Sequence, residues 1–238
     1  MLNVIMTCNI KMEITLFEEY FPKAFINQLT EDCNSLYSEY MRDSSGQPFN
    51  AEYFGPPVKS RWHSREASAP LSTVSDHFNH LLFEPNLYIL SHILQNLNHF
   101  RDKIFLDNGS GIYCFLAILL RRLGITVYNY DDFSQIGEVL DTVFYKKYGV
   151  DPPMNAAKIK GLLEKRRIDG LFSCGIWVDN ASIVSHDFEY LFLDDQYAAG
   201  DRECSLIRKR FPEFDLVKHA TLGHVGVKFY YKNKNQTT

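Results

Sequence analysis

From Lys103 onward, short β-favouring runs alternate with helical segments, and this alternation constrains the fold more than any other feature of the chain. The runs are IFLD, TVYNY, GLFSC and YLFLDD, and the helical segments fall at 112–123, 133–148, 155–167 and 200–210. Strand and helix in alternation require crossover connections, which give a parallel sheet covered on both faces. The last part breaks the rhythm: FDLVKHA, TLGH and VGVKFYYK read as two strands joined by a short turn containing glycine. The expected class is therefore α/β, a mostly parallel sheet closed by a C-terminal antiparallel hairpin.

Residues 1–100 have a different texture. Within 12–42, Phe17, Tyr20, Phe21, Phe25, Ile26, Leu29, Leu36 and Tyr37 recur at three- and four-residue steps among polar positions, the spacing of an amphipathic helix. Residues 43–75 hold four of the nine prolines and many small polar residues, so a long loop is expected there. A second helix is expected between about Asp76 and Phe100, with Pro85 as the place where it would break or kink. Two domains follow: a helical N-terminal region with its loop over 1–100, covering a substrate, and the sheet domain over 101–238.

Bulk properties narrow the partners. The chain has 238 residues, 45% of them hydrophobic, enough for one sizeable core. A formal charge of −4 and a pI near 6.1 provide no global positive field for nucleic acid or an anionic membrane. A small-molecule acceptor or a protein partner is the expectation. Cys8, Cys33, Cys114, Cys174 and Cys204 are odd in number and scattered, without metal-type spacing. No run approaches the ~20 apolar residues of a membrane span, and MLNVIMTCNIKMEI lacks the charged start and cleavage site of a secretory signal. A soluble, cytoplasmic chain is expected.

The strand ends carry the candidate chemistry. In open α/β sheets ligands sit beyond the carboxyl ends of strands, near the point where strand order reverses. Asp107-Asn108-Gly109-Ser110-Gly111 lies at such an end, before a helix, and its glycines permit a ligand to approach the main chain. The next strand ends at Asp131, twenty residues after Gly111, with Asp132 beside it. An acid there suits the two hydroxyls of a ribose, so the unit reads as a nucleoside site. The plainer alternative is a tight turn flanked by solvated acids. A dinucleotide fingerprint would want a further glycine where Cys114 stands, which counts against NAD.

LDNGSGIYCFLAILLRRLGITVYNYDD resembles the first motif and second strand of the class I S-adenosylmethionine-dependent methyltransferases. EYLFLDDQYAAGDRECSLIRKRFPEFDLVKHATLGHVGVKFYYK is similar to that family's fifth strand, last helix and terminal hairpin. The resemblance spans roughly residues 101–232 and implies a Rossmann-like fold with S-adenosylmethionine as cofactor. It would place Asp107, Gly109, Ser110 and Gly111 at the methionine moiety and adjacent backbone, and Asp131 at the ribose. Asp132 or Phe133 would lie beside the adenine, with Cys174 and Gly175 bordering the methyl donor. The chain departs from the pattern at Tyr113, where many members have another glycine. Between Tyr148 and Arg167 it offers a proline turn and a helix instead of a third strand.

The Asp194-Asp195-Gln196-Tyr197 stretch is similar to the ending seen in metal-dependent O-methyltransferases of natural-product type, which implies Mg²⁺ on Asp194 and Asp195. Such a cation would lower the pKa of a substrate hydroxyl; a strand-end pair capping the next helix is the plainer reading. Asp179 is the further acid that could complete the set. His186 and His63 are candidates for a general base, since histidine titrates near working pH. His77 and His80 are read as surface residues of a helix capped by Asp76. Tyr53, Phe54 and Trp62, with Arg61 and Arg65, either close over a planar substrate or anchor the long loop. Lys165-Arg166-Arg167 and Arg208-Lys209-Arg210 read as solvated helix ends. Two functions therefore stand: O-methylation of a small molecule, or a catalytically inactive module binding an adenosine metabolite or a protein partner.

Overall fold

The computed structural model of the chain describes residues 17–40, 84–111, 113–131, 143–173, 181–194, 209–222 and 225–233. Two compact units divide it, Met1–Leu87 and Tyr88–Thr238. The second unit begins before the boundary expected after residue 100, and its own packing gives the reason. Phe100 is fully buried, edge-on to Phe105, Tyr190 and Phe192 of the sheet.

In the first unit, helix α1 (Lys23–Tyr40) buries Ile26, Leu29, Cys33 and Leu36, the apolar stripe expected from the sequence. Pro22 separates this helix from the turn at 17–20, and its carbonyl accepts from Phe25 N and Ile26 N. Helix α2 (Glu84–Gln95), most of it in the second unit, includes Pro85. Helix α3 (Leu97–Phe100) follows at once. Among the described residues no helix is long and apolar enough to cross a membrane.

The second unit is built on six strands: β1 (Ile104–Asn108), β2 (Thr126–Tyr130), β3 (Gly170–Ser173), β4 (Tyr190–Asp194), β5 (Phe214–Leu222) and β6 (Val225–Lys232). Their order is β2-β1-β3-β4-β6-β5. β1 runs parallel to β2 and β3, and β3 parallel to β4. β6 is antiparallel to both β4 and β5. Helices α4 (Phe115–Arg122), α5 (Val143–Tyr148), α6 (Ala156–Lys165) and α7 (Ala181–Val184) complete the alternation. The fold is α/β and Rossmann-like, with the C-terminal hairpin inserted as the sequence pattern requires.

Strands buried on both faces read as near-continuous apolar runs, and these do. On one face Phe105, Phe172, Phe192 and Phe229 form a column of rings, with Phe105 and Phe172 stacked at 4.5 Å. Leu106, Leu171, Leu191, Leu193 and Tyr230 alternate onto the other face and pack with Ile159, Leu163 and Ile168. From β1 the chain goes to β2 on one side and later to β3 on the other. Strand order therefore reverses between β1 and β3, and a ligand crevice belongs at their carboxyl ends.

Beyond β2 the described residues hold no third strand. A single parallel bridge joins Tyr130 to Met154. Met154 N donates to Asn129 O at 2.8 Å, Asp131 N to Met154 O at 3.4 Å, and the Asn129 side chain to Asp151 O at 2.8 Å. Pro152 and Pro153 have no N–H to extend this ladder upstream. Downstream, the Asn155 side chain accepts from Lys158 N at 2.9 Å and starts α6. The strand is held to one residue between a proline pair and a helix cap.

Candidate functional site

The parallel register aligns the ends of β1 and β2: Asp107 lies opposite Asn129, and Asn108 opposite Tyr130. The chain leaves β1 through Gly109, whose φ of 93° is closed to residues with side chains. Gly109 N and Ser110 N both donate to Tyr130 O, at 2.9 and 3.2 Å, so the loop is tied to the end of β2. Gly111 also has a positive φ, 62°, and a Cβ added there would meet nothing within 4 Å. Its amide donates to Asp131 Oδ2 at 2.9 Å. Cys114, with φ of 49°, turns the chain into α4 while its thiol donates to Gly111 O at 3.6 Å.

Two acids thus lie side by side at this end, each with 4% of its surface exposed. Burial pushes the Asp107 carboxyl up to about 7, and the charge of Asp131 adds to the effect. At neutral pH Asp107 is divided between the protonated and ionised forms, able both to donate and to accept. Asn108 Nδ2 donates to Ser173 Oγ at 2.9 Å, linking β1 and β3 at the point of reversal.

Asp107, Gly109, Ser110, Gly111 and Asp131 are accordingly brought together as the sequence pattern expects. Asn108, Ser173 and the Tyr130 carbonyl were missed, although strand register alone places the first two side by side. Asp194 ends β4 opposite Val227, at the same end of the sheet. Asp132, Phe133, Cys174, Gly175 and Asp195 lie outside the described residues, as do Asp179, His63, His77, His80 and the aromatic cluster of the long loop.

His186 requires a correction. It precedes β4, and a loop leading into a strand lies at the opposite end of a parallel sheet from the loops leading out. Its Nε2 accepts from Ile168 N, just ahead of β3, at 3.3 Å. At about 3.3 Å of rise per residue, the five-residue β4 separates it from the glycine loop by roughly 15 Å. His186 therefore cannot serve as a general base there. Among the described residues no group of three His, Cys, Asp or Glu is placed to hold a metal, and Asp195 and Asp179 of the expected magnesium set lie outside those residues.

No protein-family model and no curated protein sequence matches the chain. Among solved structures, MtNAS in complex with MTA and tNA is 11% identical, with 98% of each chain covered and a TM-score of 0.46. A mutant of MtNAS in complex with S-adenosylmethionine is 12% identical over 88% of this chain and 77% of that one, with a TM-score of 0.45. A putative RNA methyltransferase from Pyrococcus horikoshii is 11% identical over 75% of this chain and 90% of that one, with a TM-score of 0.43. At these identities none of them assigns a reaction or a substrate to this chain.

Proposed function

We propose that this chain binds S-adenosylmethionine at the carboxyl ends of β1 and β2 and transfers its methyl group. The observation that supports this best is the Asp131 carboxylate held on the Gly111 amide at 2.9 Å, beside a loop whose two glycines have positive φ. The residues fit such a cofactor: a carboxylate for the ribose hydroxyls, and open space at Gly111 where a Cβ would otherwise stand. Asp107, sharing its proton near neutrality, would meet the amino end of the methionine moiety.

S-adenosylmethionine would supply an electrophilic methyl group on a sulfonium, so the protein needs no covalent intermediate. Its residues would hold the cofactor, exclude water and align the acceptor, and positioning of this kind is worth several kcal/mol of barrier. The reading extends to an oxygen nucleophile on a small-molecule acceptor, in keeping with a net charge of −4 that gives no general attraction for polyanions. Asp194, at the same end of the sheet, is the candidate to take the acceptor's proton.

One observation favours the alternative of an inactive binding module: the strand that would flank β2 is a single bridge at Met154. The two readings separate in one pair of measurements. Thermal melting with S-adenosylhomocysteine should rise if either holds, and ligand at a hundredfold excess over Kd adds about 2.7 kcal/mol. Methyl transfer from labelled cofactor to a panel of phenols and sugars should occur only if the enzyme reading holds. No melting shift at millimolar ligand rejects both.

A further inference from the structure

A cavity lies at the end of the sheet opposite the glycine loop. Its volume is about 710 Å³, within the range of small-molecule sites, and Arg167, His186, Asp187, Tyr190, Tyr231 and Lys232 are among its lining residues. All come from segments entering β3 and β4 or from the end of β6, about one strand length from the Gly109–Gly111 loop. A molecule bound here could not reach a group held at that loop.

Two histidines fix the aromatic walls, and one of them, His99, also lines the cavity. The Tyr231 hydroxyl meets His92 Nε2 at 2.8 Å, and the Tyr190 hydroxyl meets His99 Nε2 at 2.9 Å. The His99 ring lies parallel to Tyr231, 7° between planes, and edge-on to Tyr190. Burial lowers His92 to about 4, so its ring is neutral at neutral pH.

The ion pairs of the cavity differ in how many partners hold them. Glu189 pairs with Lys103 at 3.0 Å and with Arg167, and Asp169 shares both cations at 3.6 and 3.4 Å. Among the described residues Lys232 is the cation paired with Asp187, whose side chain is 84% exposed whereas that of Lys232 is 23% exposed. An exposed ion pair contributes about 1 kcal/mol or less, so an incoming anion can displace Asp187 from Lys232 far more easily than it can displace Glu189. His186 adds a donor: its Nε2 accepts from Ile168 N, so the neutral ring carries its proton on Nδ1.

We infer that this cavity binds a small aromatic carboxylate, its ring against Tyr231 and Tyr190 and its anion on Lys232 with Asp187 swung out to solvent. The acids argue against a cationic ligand, because Glu189 and Asp169 are already matched by Lys103 and Arg167. The inference is independent of the reading made for the glycine loop.

The test is calorimetric titration of the full chain with benzoate, alongside cyclohexanecarboxylate and inorganic phosphate as probes lacking the ring. Benzoate should bind with one site per chain and more tightly than either control. Asp187→Asn removes the competing internal anion and should tighten benzoate up to about fivefold. Lys232→Gln removes the charged donor and should weaken it about tenfold. In the unaltered protein the melting shifts of benzoate and S-adenosylhomocysteine should add. Absence of benzoate binding at millimolar concentration overturns the inference. So does binding no tighter than phosphate, or an affinity that falls in Asp187→Asn; this last variant changes only an exposed side chain and leaves the fold intact.

Discussion

The amide of Gly111 and the carboxylate of Asp131, twenty positions apart in the chain, meet at 2.9 Å across the ends of two parallel strands. This contact fixes both the loop and the acid. Asp131→Ala should lower the affinity for S-adenosylhomocysteine at least tenfold, because a charged hydrogen-bond acceptor is worth about 1.5–3 kcal/mol. Calorimetric titration of the variant against the unaltered chain measures this, and equal affinities would remove the ribose role.

Gly111→Ala separates folding from binding at the same place. The new methyl group has room but must adopt φ near 62°, which costs roughly 1 kcal/mol. The expected outcome is a small fall in melting temperature and a larger fall in cofactor affinity, since the methyl occupies the space proposed for the ligand. A variant that melts lower but binds as before would place the cofactor elsewhere.

The buried Asp107 makes stability depend on pH in a specific direction. Its pKa rises from 3.8 to about 7 on folding, so the native state holds a proton that the unfolded state has released. Stability is full below the unfolded value and falls as pH rises from about 4 to about 7, by at most ~4 kcal/mol at 1.36 kcal/mol per pH unit. Asp107→Asn should flatten this slope. Denaturant unfolding of both proteins at pH 4.5 and 7 reads the difference, and parallel slopes would contradict the assignment.

Gly170→Ala tests the packing that carries the site. A Cβ at Gly170 would stand 2.3 Å from a ring atom of Phe105 and 3.1 Å from Tyr190 Cβ. Phe105 is fully buried and stacked on Phe172, so the ring has nowhere to move. The expected loss is about 1–3 kcal/mol, the usual cost of overpacking, measured by denaturant unfolding. An unchanged midpoint would mean that the ring column yields.

The order of elements was legible because β1, β3 and β4 are buried and so appear as short apolar runs between turn residues. The loop at Gly109 and Gly111 was legible for another reason: the required backbone conformation leaves glycine as the residue that fits without strain. Beside β2, the described residues hold a single bridge at Met154, and Pro152 and Pro153 have no N–H to lengthen it. His186 leads into β4 and so lies at the amino ends of the parallel strands, which its choice as a base from histidine's titration range did not take into account. The pairing of Asn108 with Ser173, and the cavity beside Lys232, depend on register and on contacts across the sheet. No local pattern encodes either.

The central claim is that a nucleoside lies over Gly109–Gly111 with its sugar on Asp131, and a crystal structure of the chain with S-adenosylhomocysteine tests it most directly. The account predicts density along the glycine loop and a ribose hydroxyl within about 3.2 Å of an Asp131 oxygen. A nucleoside bound anywhere else, or an empty loop at saturating ligand, would contradict it.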